Sequence, residues 1–130
     1  AVGPKDLENG TFEIARRDTL TKEIVSKDGV VNYVSNLLEQ IQSDLFNRAL
    51  EYRNTHITEV NSFEEFKDVL ENKAGFVSAH WDGTSETEEK IKDLTKATIR
   101  CIPLDSPEEN GKCILTGNPS NRRVLFAKAY

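Results

Sequence analysis

Between Val30 and Tyr52 the residues Val30, Val34, Leu37, Ile41, Leu45, Ala49 and Tyr52 recur every three or four positions, with Glu39, Gln42, Asp44 and Arg48 between them. That spacing matches one face of an α-helix and excludes a strand. It predicts a single amphipathic helix ending near Asn54. At ~1.5 Å per residue such a helix reaches about 35–40 Å, enough to link two domains along one side. Asp28 stands where a carboxylate can accept from the free N–H groups of the first turn and match the positive end of the helix dipole.

The stretch before this helix is short. Ala1-Val2-Gly3-Pro4 reads as the end of a strand begun earlier, so something is expected to be missing upstream. The Asn9-Gly10 pair suits a tight hairpin turn, after which Phe12 and Ile14 alternate with Glu13 as in a half-buried strand. Residues 1 to about 25 are therefore expected to be a sheet fragment, and an isolated hairpin is marginal in water.

Beyond the helix, strand and helix signals alternate. His56 to Val60 predicts a short strand, and Ser62 with Glu65 forms a capping box ahead of a helix to about Asn72 that buries Phe63, Phe66, Val69 and Leu70. Phe76 to Trp81 is a second strand. Ser85 with Glu88 forms another capping box, opening a helix whose inner face is Ile91 and Leu94. Thr98 to Ile102 is a strand stopped by Pro103, and the Pro-, Asp- and Glu-rich 104–112 is a loop. Cys113 to Leu115 and Arg123 to Ala127 then read as two strands. The order β-α-β-α-β-β favours an α/β two-layer sandwich, one mixed sheet with helices on one face.

A chain of 130 residues has room for one ordinary domain and a remnant. Hydrophobic residues are 37% and charged residues 30%, enough for a core and far too polar for a membrane span. No export or targeting signal occurs, so a cytoplasmic address follows by default. The net charge of −5 argues against a general polyanion binder, and RNA contact must be local. Cys101 and Cys113 are too few for a disulfide framework and form no C-x-x-C pair, so both read as buried free thiols.

No pattern here carries chemistry unaided: there is no phosphate-cradling glycine loop, no helix-borne His pair, and no Ser or Cys beside a recognisable base. Arg16-Arg17-Asp18 suits two-pronged phosphate contact, but composition favours a solvated strand end. Arg122, Arg123 and Lys128 read as a charged edge that discourages sheet pairing. His80-Trp81-Asp82 lies at a strand end, where ligands often bind, but reads better as core edge followed by a turn. Glu86, Glu88 and Glu89 ahead of Lys90 and Lys92 read as dipole matching and i,i+4 pairing.

Several stretches together resemble one family: Gly3-Pro4-Lys5-Asp6, Ala15-Arg16-Arg17-Asp18-Thr19, Gly75-Phe76-Val77, Ala79-His80-Trp81, Glu88-Glu89-Lys90-Ile91-Lys92, the run Ala97 to Pro103, and the ending Val124-Leu125-Phe126-Ala127-Lys128-Ala129-Tyr130. Along nearly its whole length the chain resembles the prolyl-tRNA synthetases of the archaeal/eukaryotic-like type, the branch with a C-terminal extension and no inserted editing domain. The resemblance implies that 1–25 is the tail of an anticodon-binding domain, 26–55 a connecting helix and 56–130 the C-terminal domain. It raises Lys5, Arg16 and Arg17 as RNA contacts, and it places the carboxylate of Tyr130 near the parent's active site. The parent would use ATP and magnesium, bind proline tRNA, contact its own catalytic domain and form a homodimer, with no membrane partner. Class II catalysis needs an ATP-binding arginine and a proline pocket on an antiparallel sheet; neither motif occurs here, so the fragment is expected to hold no catalytic residue.

Many members of that family carry a structural zinc bound by C-x4-C and C-x2-C pairs, a closed thiolate site. The four places fall at Asp82, Thr87, Cys113 and Thr116, of which only Cys113 keeps a thiol. Cys101 matches a position read as core. One thiolate and one carboxylate make a poor tetrahedral set, so zinc is expected to be absent. The alternatives from other classes are a free-standing RNA-binding or regulatory α/β module, and a small redox or metal protein using Cys101 and Cys113.

Overall fold

The computed structural model describes residues 1–128. They divide into two compact units, 1–51 and 52 onward, with the boundary inside one long helix.

In the first unit the chain opens with a helix, α1 (Pro4–Asn9), where a strand end was expected. Pro4 has the fixed φ of a first helical residue, and the Asp6 carboxylate accepts from the Gly3 N–H at 2.8 Å. Gly10 adopts φ 62° and donates its N–H to Asp6 O, so the Asn9-Gly10 pair ends a helix instead of turning a hairpin. The hairpin follows: β1 (Thr11–Ala15) pairs antiparallel with β2 (Lys22–Ser26), placing Phe12 opposite Val25. Its turn is made by 16–21, closed by Arg16 N–H donating to Thr21 O at 2.9 Å.

The long helix α2 (Val30–Thr55) runs where the periodicity placed it. Gly29, not Asp28, precedes its first residue and accepts from Tyr33 N–H at 3.0 Å; Asp28 instead donates its own N–H to Ser26 Oγ. None of its side chains is fully buried, and Val31, Leu38 and Phe46 are well exposed.

The second unit is the expected α/β sandwich. It comprises β3 (Ile57–Glu59), α3 (Phe63–Asn72), β4 (Phe76–His80), α4 (Ser85–Thr95), β5 (Ala97–Cys101), β6 (Gly111–Lys112), β7 (Pro119–Ser120) and β8 (Arg123–Lys128). The main sheet is ordered β3-β4-β8-β5, with β3 parallel to β4 and β8 antiparallel to both its neighbours. Strand alternation sends Val77, Ala79, Val124 and Phe126 to one face, where Phe66 and Val69 of α3 and Ile91 of α4 complete the core. Phe66 and Phe126 are fully buried and meet edge to face with ring centroids 5.1 Å apart.

Local details depart from the sequence reading for identifiable reasons. Ser62 Oγ caps α3 by accepting from Glu65 N–H, as expected, while the Glu65 carboxylate accepts from Asn61 N–H. The cap of α4 is Thr84, one residue before Ser85, because Thr84 Oγ1 accepts from Thr87 N–H. The inner face of α4 is then Thr87, Ile91 and Thr95, and Leu94 points to solvent. Cys113 to Leu115 is not a strand: Cys113 N–H donates to Asn118 O and its carbonyl accepts from Gly117 N–H, which closes a turn between β6 and β7. Cys101 is exposed rather than core, because the β5–β8 register shifts between Ile99 and Cys101. Cys113 is buried as read. Arg123 does not lie on an edge, since β8 sits between β4 and β5.

Candidate functional site

Two polar clusters meet at the end of β4, and they contain the buried His80, Thr87 and Ser120. Asp82 follows that strand, and its Oδ2 accepts from Thr87 Oγ1 at 3.0 Å, Thr116 Oγ1 at 2.8 Å and Asn118 Nδ2 at 3.3 Å, while its Oδ1 accepts from Thr84 Oγ1 at 2.9 Å. One carboxylate thus fastens the start of α4 to the 113–118 turn. Partial burial alone would push the Asp82 carboxyl up; the donors from Thr116, Thr84 and Thr87 outweigh that and hold it at about 2.

Three of the four zinc positions implied by the family resemblance therefore meet, but as a carboxylate and two hydroxyls that donate to it. Neutral hydroxyls oriented toward a carboxylate do not make the closed set of anionic or imidazole donors that zinc requires. The residues present do not fit the metal. Among the described residues no group of three or more His, Cys, Asp or Glu side chains is placed to hold a metal ion. The network ties together α4 and the turn that zinc would otherwise join.

This arrangement sets a pH dependence. A carboxyl held below its ordinary value stabilises the fold above about pH 4, and the gain fades as pH falls toward 2. Asp82→Asn is expected to cost about 1–2 kcal/mol at neutral pH. In urea titrations of wild type and variant, the difference in unfolding free energy should shrink steadily between pH 4 and pH 2. A difference independent of pH would show that the charge on Asp82 does not matter.

A second cluster lies on the other edge of the same strand end. His80, buried in the sheet, brings Nδ1 within 3.1 Å of Ser120 Oγ and Nε2 within 3.5 Å of Glu109 Oε1. Ser, His and Glu in this order superficially resemble a hydrolase triad. The Ser120 hydroxyl, however, donates to Arg122 O at 2.9 Å, so it accepts from His80 and is not an activated nucleophile. Gly111 closes over the imidazole: a Cβ there would lie 2.2 Å from His80 Nε2. Glu109 is held below its ordinary value, first by the hydrogen bond from Arg123 and then by its charge. The Arg123 guanidinium also donates to Val60 O at 3.0 Å and Asn61 Oδ1 at 2.6 Å, so through Glu109 it clamps the loop that precedes β6 to the β3 end; the expected 104–112 loop stops at β6. A cavity of about 550 Å³ lined by Trp81, Asp82, Asn110 and Arg122 opens beside these clusters.

The basic residues of the first unit have different surroundings. Lys5, on α1, and Arg17 are exposed. Arg16 is mostly covered, and its guanidinium bonds Asp18 at 2.6 Å and Asp44 of α2 at 2.9 Å. Its pKa is raised by the hydrogen bonds it donates to those two carboxylates, Asp18 foremost, and Asp18 is lowered in return. The structure does not bring Arg16 out to solvent beside Lys5 and Arg17. Tyr130 lies outside the described residues. The spacing Asp82, Thr84, Thr87 could have signalled an aspartate-capped helix start, but nothing in the sequence announces that Thr116 and Asn118 return to the same carboxylate.

The hydrogen-bonded clusters at the β4 end thus fasten the fold together, and what the chain belongs to is found by comparison. Residues 63–130 match a family described as prolyl-tRNA synthetase, C-terminal. The whole chain is 75% identical to a proline–tRNA ligase of Flavobacterium johnsoniae and 66% identical to one of Christiangramia forsetii. It is 60% identical, again over its full length, to one of Porphyromonas gingivalis. In each case it spans 26% of the relative's length. With more than half its residues in the matched span, this chain belongs to the prolyl-tRNA synthetase C-terminal family.

Proposed function

We propose that this chain is the C-terminal part of a proline–tRNA ligase of the archaeal/eukaryotic-like type, whose full polypeptide activates proline with ATP and magnesium and transfers it to proline tRNA. The observation that carries this reading is the end-to-end alignment with proline–tRNA ligases at up to 75% identity. The subtype rests on the resemblance of the C-terminal domain and its ending; the relatives named above come from bacteria. In this reading 1–25 closes the anticodon-binding domain, 26–55 connects and 56–130 supports the catalytic body. The fragment supplies architecture, tRNA contact on the anticodon side and an edge of the active site. Lys5 and Arg17 contact tRNA phosphate, and Arg16, committed to Asp18 and Asp44, positions the loop that carries Arg17. Tyr130 brings its terminal carboxylate toward the active site. The enzyme is a cytoplasmic homodimer without zinc; no helix among the described residues is long and apolar enough to cross a membrane.

The test is ATP–pyrophosphate exchange by the full-length polypeptide with each amino acid in turn, repeated after deletion of residues 56–130. Exchange with proline alone, reduced at least tenfold by the deletion, is the expected result. Absence of exchange from a well-folded full-length protein would leave a free-standing binding module as the better account.

A further inference from the structure

The helices α3 and α4 cover one face of the four-stranded sheet, and strand alternation turns Phe76, Leu125 and Ala127 to the other. Two adjoining hollows meet at Phe76 and Arg100, which line both: one of about 720 Å³ runs past Leu70 and Lys73 at the end of α3, and one of about 550 Å³ lies against Ser78 and Leu125. Their walls carry four cations, Lys73, Arg100 and Lys128 with Arg53, against one carboxylate, Asp105. On a chain of net charge −5 this is a local reversal of sign. No carboxylate among the described residues forms an ion pair with Lys73, Arg100 or Lys128. The Arg53 guanidinium bonds the neutral Asn54 Oδ1 at 2.8 Å. Phe76, which lines both hollows, is 36% exposed, at the start of a strand whose next four residues are buried.

We propose that the exposed Phe76 end of this sheet face binds single-stranded RNA. Phosphates would be held by Lys73, Arg100 and Lys128, and an unpaired base would stack on Phe76. Unpaired nucleotides suit this surface because an exposed aromatic side chain beside cations offers stacking to any base, whereas base-paired RNA keeps its π-faces inside the duplex. Charge complementarity selects a polyanion over a neutral peptide. That the RNA in the cell is proline tRNA rests on the ligase reading above; the surface chemistry itself does not.

The experiment uses the full-length polypeptide and two labelled probes, an unstructured RNA of about 10 nucleotides and proline tRNA, followed by fluorescence anisotropy across a range of salt concentrations. The variant Lys73→Gln/Arg100→Gln/Lys128→Gln is expected to weaken binding of the short RNA at least tenfold. It should also flatten the slope of log Kd against log salt by about 2, the contribution of three released counterions on a single strand. Phe76→Ser should weaken binding about tenfold with the slope unchanged. A charge-matched variant on the helical face, Lys67→Gln/Lys90→Gln/Lys92→Gln, should match wild type in both respects. The proposal is overturned if wild type ignores the short RNA, or if the two triple variants behave alike. It is also overturned if the sheet-face variants leave RNA binding intact but depress proline-dependent exchange measured without RNA, which would make this face a docking surface for the rest of the polypeptide. Wild type that binds the short RNA but shows no exchange with proline would remove the ligase reading and leave the surface standing.

Discussion

Replacing Phe126 with alanine should lower the unfolding free energy of the second unit by about 3–5 kcal/mol, the range for emptying a buried aromatic site. Phe126 has no exposed surface and stands on the central strand β8 opposite Val77 on one side and Ile99 on the other. Its ring also meets Phe66 of α3 edge to face, so one truncation strips contacts from the sheet and from the helical layer together. The chain's single tryptophan, Trp81, packs against this core and reports its loss in urea titration by fluorescence. Phe126→Leu, which keeps most of the volume, should cost about 1–1.5 kcal/mol. Equal losses for the two variants would show that the site relaxes around the missing ring.

Gly75→Ala is the second large effect. Gly75 adopts φ +118°, and a Cβ there would sit 2.2 Å from the backbone oxygen of His56 and 3.0 Å from its carbonyl carbon. That oxygen cannot retreat freely, because it accepts from Phe76 N–H at 2.8 Å, the bond that begins the β3–β4 pairing. The variant faces both an unfavourable dihedral and a backbone clash, together on the order of 3–4 kcal/mol. Gly117→Ala separates the two causes: φ is +73°, nothing lies within 4 Å of the added carbon, and the expected cost is about 1 kcal/mol. A Gly75 variant no worse than the Gly117 variant would mean that β3 shifts away without penalty.

The long helix and the strand–helix alternation were legible because each rests on short-range periodicity: seven apolar positions spaced for one helical face, and a Ser-x-x-Glu start for α3. The α/β class followed from the order of those signals. What failed failed locally and for a common reason, that the same residues serve two kinds of ending. Pro4 and Asn9-Gly10 fit a strand end and a hairpin as well as they fit a six-residue helix with a left-handed stop, and only the Asp6 carboxylate meeting Gly3 N–H decides between them. Thr84 won the α4 cap from Ser85 because Asp82 orients its hydroxyl. The polar clusters were the least readable part. Arg123 and Glu109 are separated by a strand pair, and Asp82 and Thr116 by a helix and two strands, so their pairing depends on a fold that periodicity does not encode. Arg16 was readable as a phosphate ligand by type, yet its two carboxylate partners come from its own loop and from a helix far along the chain.

The position of β8 has a bearing on how the domain is made. It is the last strand of the sheet to be synthesised and the one between β4 and β5. Until residues 123–128 emerge from the ribosome, β4 has only the three-residue β3 beside it and β5 has no strand partner in the sheet. The nascent chain therefore carries open edges on both β4 and β5 and an unfilled place for Phe126 throughout the making of the 102–122 segment, a state prone to pairing with other chains. A product broken off by premature termination in that segment would keep those edges permanently. Quality control would meet it as an aggregation-prone intermediate, not as a smaller version of the finished domain.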